Sequence, residues 1–165
     1  MGIYVDLITE VRARLVAAQA IGQPLAGVKH IIIGPRQLQL NDNDLPLILV
    51  QIERGDEDAK SSQLNKIATM EIKITIIDKS NTTSLDTSTK TYFDTDSGDG
   101  ILYTFEKMLD ILDKNVAGAV HPRLGVNATG TNVTSFNFVH DSNRVIIEAT
   151  IRVQSAQFQF GARSV

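Results

Sequence analysis

Large apolar side chains near the start of the chain recur at intervals of three or four positions. Residues spaced in this way share one face of an α-helix, and here they are Tyr4, Leu7, Ile8, Val11, Leu15 and Ala18. Gly22 and Pro24 follow, and both residue types end helices. The pattern therefore predicts an amphipathic helix over residues 2–20.

The same periodicity returns in the segment "GILYTFEKMLDILDKN", which begins at Gly100. Its large apolar residues again fall on one helical face, and they are Ile101, Leu102, Phe105, Met108, Leu109 and Leu112. We expect Ser97 or Asp99 to cap this second helix, because short polar side chains accept hydrogen bonds from the first backbone amides.

Apolar and polar residues alternate with few exceptions in "KIATMEIKITIID" (66–78) and "NRVIIEATIRV" (143–153). This pattern is typical of antiparallel strands with one buried and one polar face. The segment "NVTSFNFVH" precedes the second strand across "DS", which predicts a hairpin. Shorter apolar runs predict strands over 27–34 and 45–54, and the segment "NDND" between them predicts a turn.

Two segments lack such patterns. Residues 55–62 are polar throughout, and we expect a solvated loop there that carries Asp56, Glu57 and Asp58. Residues 78–100 contain few large apolar side chains, so their burial cannot offset the entropy cost of ordering them. The sequence predicts a long polar loop over 78–100, of the length usually found in functional or disordered segments.

The predicted order is helix, three strands, loop, helix and hairpin. This order indicates an α+β fold, a mainly antiparallel sheet with two principal helices packed on one face. At 165 residues the chain is long enough for one core. We expect a single domain over residues 1–165, since no repeat or linker divides it.

Composition and charge exclude several classes of protein. The formal net charge is −3, which does not favour a nucleic-acid-binding face. Cysteine is absent, so disulfides and thiolate chemistry are excluded. No apolar run is long enough to span a membrane, and the first residues lack the basic start of a signal peptide. We expect a protein that folds in a cytoplasm and does not contact membranes.

Candidate chemistry is sparse. The segment "DTDSGDG" (94–100) resembles a calcium loop, but Gly98, Asp99 and Phe105 stand where the EF-hand register needs a ligand, a glycine and a glutamate. The histidines lack the spacing of a zinc enzyme, so we expect them at surfaces or interfaces; they are His30, His121 and His140. The sequence therefore predicts no enzyme, no catalytic residue, no metal site and no cofactor.

The alternation breaks near the C-terminus. Phe158 and Phe160 have the opposite parity to the apolar series Val145 to Val153. A β-bulge could return both rings to the core of the same chain. Alternatively, the last strand could leave its own domain and pair with a neighbouring subunit. Both interpretations remain open from the sequence.

The layout of these segments resembles that of the phage tail terminator proteins, also called tail-completion or tail-to-head joining proteins. The resemblance lies in the helix "IYVDLITEVRARLVAA", the segments "LPLILVQIERGDED" and "KIATMEIKITIID", the helix "DGILYTFEKMLDILDKN" and the ending "FQFGAR". It covers nearly the whole chain, and it concerns architecture more than any invariant motif.

The resemblance implies a virion protein at the head-proximal end of the tail, assembled in the bacterial cytoplasm. It implies a homohexameric ring that ends tube polymerisation and joins the tail to the head. The implied partners are copies of the chain itself, the tail tube protein and the head–neck connector or adaptor. Double-stranded DNA would pass through the lumen without specific binding, since an acidic protein repels phosphates.

We expect the interfaces to involve Glu71, Lys73, Glu148 and Arg152, which should line the seams or the channel of the ring, together with Phe158 and Phe160. Loop 78–100 is expected to fold over the tube or the connector during assembly. Two other functions stay open. One is a different virion component of related fold, either a neck adaptor or a tail-tube subunit. The other is a small ligand-binding or enzymatic α+β domain, which would need a cavity with convergent polar groups.

Overall fold

The structure is a computed structural model that describes residues 2–35, 39–59, 65–80, 89–121, 124–126, 133–141, 143–155 and 158–159. The described residues form two α-helices and seven strands in one sheet. The helices are α1 (Ile3–Ala17) and α2 (Ile101–Asp113). The strands are β1 (His30–Ile33), β2 (Leu47–Ala59), β3 (Asn65–Lys79), β4 (Gly125–Val126), β5 (Val133–Asp141), β6 (Arg144–Gln154) and β7 (Phe158–Gln159).

The long strand β3 lies at the centre of the sheet. It pairs antiparallel with β2 on one side and with β6 on the other. β1 extends the sheet beyond β2 as its parallel strand, while β4 and β5 both pair antiparallel with β6. The sheet is thus mainly antiparallel, and β1 and β5 lie at its opposite edges.

Both helices pack on the same face of this sheet. The core there combines the apolar side of α1 and of α2 with Ile72, Ile74 and Ile76 of β3. The facing residues of β6 are Val145, Ile147, Ala149, Ile151 and Val153, all of them buried. The predicted α+β fold, with two principal helices on one face, is therefore confirmed.

The opposite side of the sheet, which we call the outer face, has two halves. One half is apolar and buried, and its core members are Leu45, Leu47, Leu49, Ile77 and Ile146. The segment before β2 covers this half, with Leu40 packed against the cluster. Arg144 helps to hold that segment, since it donates hydrogen bonds to the carbonyl of Leu40 and to the carboxylate of Asp42. The other half carries polar side chains and is described below.

Several predicted boundaries are wrong. α1 ends at Ala17, and residues 18–27 form turns instead of continuing the helix to residue 20. β2 runs to Ala59, so part of the expected loop 55–62 is strand. The extension follows a register shift between Ile52 and Arg54, which marks a β-bulge. β2 can continue past the apolar run because its polar residues still pair backbone to backbone with β3.

The start of α2 also differs from the expectation. Gly100 is the N-cap residue, and no side chain caps the helix, so the predicted role of Ser97 or Asp99 is wrong. The glycine has φ of 110°, and a Cβ there would lie 2.6 Å from the carbonyl oxygen of Tyr92. The close approach of two backbone segments therefore requires glycine at position 100.

Candidate interaction surface

The polar half of the outer face is built by neighbouring residues of β3 and β6. Glu71 lies directly opposite Arg152 in the register, and Lys73 lies opposite Thr150. Alternation along both strands brings these polar side chains to the side away from the helices. The structure therefore places Glu71, Lys73, Glu148 and Arg152 on one continuous surface, which we call the polar ladder.

Ion pairs link the residues of the polar ladder. Glu71 Oε2 lies 3.4 Å from Arg152 Nε and 3.7 Å from Arg54 Nε. Glu148 Oε2 lies 3.7 Å from Lys73 Nζ. The side chains of Lys73 and Arg152 are 36% and 41% exposed, so solvent screens these pairs. Each pair lies within one subunit, and the ladder can keep its charges paired without a partner.

The ladder carries almost as much negative as positive charge. Its cations are Arg54, Lys73 and Arg152, and its anions are Glu71 and Glu148. Asp56 lines the same shallow polar depression as Arg54 and Arg152, which adds a third carboxylate. The surface is therefore polar and close to neutral.

The C-terminal break in alternation has a structural cause. Gln154 pairs with Thr69, whereas Gln159 pairs with Asn65, so the C-terminal segment has one residue more than β3 over this stretch. One inserted residue reverses the parity of every position that follows it. β7 pairs with β3 of its own chain through Phe158. Phe160 lies outside the described residues, and the role of both phenylalanines at an interface stays a prediction.

A buried arginine ties α1 to the end of α2. Arg14 Nε donates to Glu10 Oε1 at 2.9 Å, and both side chains are less than 10% exposed. The guanidinium also donates to the carbonyls of Leu112, Lys114, Leu124 and His121. Carbonyls at a helix C-terminus lack partners within the helix, and a cation satisfies them well. This network is structural, since its donors are already occupied.

His121 lies beside this network and is 4% exposed, so the expectation of a surface histidine is wrong here. Its Nε2 atom is buried and makes no hydrogen bond to the described residues. Burial lowers the pKa of His121 below its usual value of 6.5, although Asp6 and Glu10 act in the opposite direction. The imidazole is therefore neutral at physiological pH.

The acidic segment 94–100 forms a tight turn. The backbone amide of Asp96 donates to the Asp94 carboxylate at 3.1 Å, and Lys107 donates to the carbonyl of Gly98 at 2.7 Å. Among the residues that the structure describes, no group of three His, Asp or Glu side chains is placed to hold a metal ion. The part of the predicted loop that lies at 81–88 falls outside the described residues.

Aromatic contacts attach the end of this segment to β5. The ring of Tyr92 packs edge-on against Phe138 at a centroid distance of 5.3 Å. Its hydroxyl group also bonds Nε2 of His140. Phe136, the next aromatic residue on the same side of β5, packs on Phe105 of α2 at 5.5 Å. Phe136 remains 46% exposed, so this row of rings ends at the sheet edge.

Two open grooves flank the helices. One, of about 440 Å³, lies between the ends of α1 and α2, and its lining includes five alanines together with Glu10 and Arg14. The other, of about 400 Å³, lies between α1 and β1 and is lined by Ile8, Thr9, Arg12 and the three isoleucines of β1. Neither of the described helices is long and apolar enough to cross a membrane.

No protein-family model matches this chain, and no curated protein sequence matches it. Among solved structures, the chain is similar to one from the "Virion of native gene transfer agent (GTA) particle", with 14% sequence identity. The alignment covers 93% of this chain and 94% of that chain, with a TM-score of 0.37. A likeness at this level does not support a statement about function.

The sequence predicted the two polar strand faces that carry Glu71, Lys73, Glu148 and Arg152, and their role at an interface stays a prediction. It did not predict the buried network. Glu10 and Arg14 are four residues apart on a helix, a spacing that favours an ion pair. That signal was present in the sequence. The sequence did not show that this ion pair is buried, because the acceptors at Leu112 and Leu124 lie about a hundred residues away along the chain.

Proposed function

We propose that this chain is a structural subunit of a phage-like virion that assembles as a homohexameric ring. The ring closes the head-proximal end of the tail tube and joins it to the head–neck connector. The sequence layout that resembles tail terminators supports this role. The observation that carries it is the outer face of the sheet, which is half open, polar and close to neutral while the helices cover the other face.

The polar ladder suits the wall of a DNA channel. Proteins bind duplex DNA largely by neutralising phosphates with free Lys and Arg side chains. Here Lys73 is paired with Glu148, and Arg54 and Arg152 share Glu71. A wall of this kind gives phosphates few unpaired cations to bind and presents no apolar patch. DNA could therefore pass through a ring lined by the ladder.

The size of the assembly tests the ring. Light scattering after size-exclusion chromatography should give six times the subunit mass of 18.1 kDa. Electron microscopy should show single rings, because a terminator stops after one layer, whereas a tube subunit stacks into tubes. Stacked rings of indefinite length would contradict the terminator role and favour the tail-tube alternative.

The proposal that the polar ladder lines the DNA channel can be tested by changing the charge balance of the ladder. The double variant Glu71→Gln/Glu148→Gln removes the carboxylates that pair with Arg54, Lys73 and Arg152, and we expect its affinity for duplex DNA to rise about tenfold at low salt. The control Asp110→Asn/Asp113→Asn makes the same change in net charge on exposed positions of α2. Fluorescence anisotropy with a short duplex measures both. Equal affinities of the two variants would contradict the placement of the ladder in the channel.

Reversal of one charge in the polar ladder distinguishes a ladder that lines the channel from a ladder that forms the seams between subunits. Arg152→Glu places a second carboxylate beside Glu71 in the same subunit. If the ladder lines the channel, the ring should keep its mass in sedimentation velocity. If the ladder forms the seams between subunits, the same variant should dissociate the ring.

A further inference from the structure

Two opposite edges of the sheet are open in the described part of the structure. No described strand pairs with the outer edge of β1 or with the outer edge of β5. Sheet edges of soluble proteins are usually protected by charges, prolines or bulges that prevent pairing with other chains. β5 has a register shift against β6 between Val133 and Ser135, but from Ser135 to His140 its edge is weakly protected, since this stretch contains no Lys, Arg, Asp or Glu and no proline.

Two of the exposed side chains of β5 are large and apolar. Phe136 is 46% exposed and Val139 is 39% exposed. Each apolar side chain that stays in water forgoes burial energy that a partner strand would recover. The opposite edge offers an apolar counterpart, because Ile31 to Ile33 line the groove of about 400 Å³ between β1 and α1.

We propose that the β5 edge of one copy pairs with the β1 edge of the next copy, and that this contact forms the seam between subunits. The inference rests on the proposed ring, because a head-to-tail contact between different surfaces closes into a ring when the rotation fits. β1 and β2 run parallel, and each further step through β3, β6 and β5 reverses direction. β5 is thus antiparallel to β1. Because rotation about a ring axis preserves strand direction, β5 of one copy would pair antiparallel with β1 of the next.

The register across the sheet sets which residues meet. His30 is level with Leu47, then with Ile77, Ile146 and Val139. Two residues further along β1, Ile32 is level with Asn137 by the same series. In a closed ring whose strands run parallel to the ring axis, these levels coincide between copies. Phe136 and Phe138 then meet the Ile31 and Ile33 positions on the helix side of the sheet.

The charges beside the two edges are opposite. Arg12, which is exposed, lies at the groove between α1 and β1. Glu106 is exposed on α2, directly after Phe105, whose ring contacts Phe136 at the β5 edge. The copy that inserts Phe136 into the groove therefore brings Glu106 to the side where Arg12 lies. Opposite charges on matching patches favour this pairing and disfavour pairing of two β5 edges.

Disulfide trapping tests the contact directly, because the natural chain contains no cysteine. The double variants His30→Cys/Val139→Cys and Ile32→Cys/Asn137→Cys place one cysteine on each edge. Neighbouring antiparallel strands hold their Cα atoms about 4.5–5.5 Å apart, within the range of a disulfide. Oxidation should give a series of covalent oligomers, from dimer to hexamer and no larger, in non-reducing gels.

The single variants are the matched controls, and they should stay monomeric in the same gels. A covalent dimer from Val139→Cys alone would show pairing of two β5 edges and would overturn the proposal. A six-subunit mass for the natural chain without cross-links in either double variant would also overturn it, while leaving the proposed ring intact. A covalent ladder that continues past six subunits would support the edge contact and contradict the terminator.

A charge swap tests the contact without cysteines. Arg12→Glu should weaken association between copies about tenfold, because it faces Glu106 of the next copy with a like charge. Adding Glu106→Arg to the same chain should restore association. Sedimentation velocity measures both variants, and circular dichroism checks their folding. A double variant that associates no better than Arg12→Glu alone would overturn the placement of these residues.

Discussion

Arg14 and Arg152 form a contrasting pair on the two sides of the sheet. Each lies within 4 Å of a glutamate, but the Arg14 side chain is 4% exposed and the Arg152 side chain is 41% exposed. Arg14 also donates to the backbone carbonyls of Leu112, His121 and Leu124, whereas Arg152 donates to the carboxylate of Glu71. The same Arg–Glu pair is therefore buried in a hydrogen-bond network on the helix side and is open to solvent on the outer face.

The difference shows where stability and interaction are located. On the helix side, removal of Arg14 would leave a buried carboxylate and several carbonyls without a donor, which is costly. On the outer face, water can replace either partner of an ion pair at little cost. The helix side therefore holds the fold together, while the polar ladder can change partners without unfolding the subunit.

The largest expected effect comes from breaking the buried network. Arg14→Met should lower the free energy of unfolding by about 3–5 kcal/mol, because Glu10 would stay buried without its partner. Chemical denaturation measures the change. Arg152→Met is the matched control on the outer face and should cost about 1 kcal/mol or less. Similar losses for both variants would contradict the contrast between the two sides.

The apolar half of the outer face should behave like the helix side. Ile77 is 2% exposed and packs in the outer cluster, although its neighbours on the same face of β3 are polar. Ile77→Ala should therefore cost about 2–4 kcal/mol through lost burial and a cavity. Thr150→Ala, on the polar half of the face, serves as the control. A small loss at Ile77 in urea denaturation would show that the covering segment does not seal this cluster.

Acidification should destabilise the helix side through His121. Its pKa is lowered by burial, so the unfolded chain binds a proton more readily than the folded one. The stability is fully present above pH 6.5 and is lost as the pH falls below that value toward the lowered pKa. The charged groups that act on the imidazole of His121 are Asp6, Glu10 and Arg14.

Urea midpoints at pH 7.5 and pH 5 measure this effect in the natural chain and in His121→Asn. Between pH 7.5 and pH 5 the urea midpoint of the variant should fall by less than that of the natural chain. Asp78, whose pKa burial raises above 3.8, acts in the opposite direction and at lower pH, so it does not mimic the effect. An equal decrease in both proteins would rule out His121 as the cause.

The smallest effect is expected at Lys73. Its Nζ lies 3.7 Å from Glu148 Oε2 on a surface where both side chains are partly solvated. Lys73→Met should change the free energy of unfolding by about 0.5 kcal/mol or less. A loss as large as that of Ile77→Ala would mean that the ladder stabilises the subunit, contrary to the comparison of the two sides.

Periodicity predicted most of the fold because it reports which face of an element is buried. The alternation in β3 and β6 placed Glu71, Lys73, Glu148 and Arg152 on one surface before any pairing was known. α2 was predicted from its apolar face, although it begins at Ile101 and its N-cap is Gly100 instead of Ser97 or Asp99. These features depend on residues that are close together in the sequence.

The features that sequence reasoning missed depend on distant residues. The extension of β2 through Asp56 and Glu57 is stabilised by backbone pairing with β3, which composition does not show. Burial of Arg14 and His121 depends on where the segment after α2 returns to α1. The phase slip before Phe158 was visible, but the sequence could not choose between a bulge and a strand that leaves its own domain, because a bulge is defined only against the partner strand.

The position of β3 has a consequence for how the chain reaches its native state. Its hairpin with β2 joins segments that are close in sequence, but its pairing with β6 joins residues 65 to 85 positions apart. During synthesis the hairpin emerges with one flank of β3 unmatched, and it must wait for nearly the whole chain before β6 arrives. Distant pairing of this kind slows folding and leaves an open strand available to wrong partners. If copies of the chain pair through strand edges, as we propose, premature association is most harmful in the interval before β6 is synthesised.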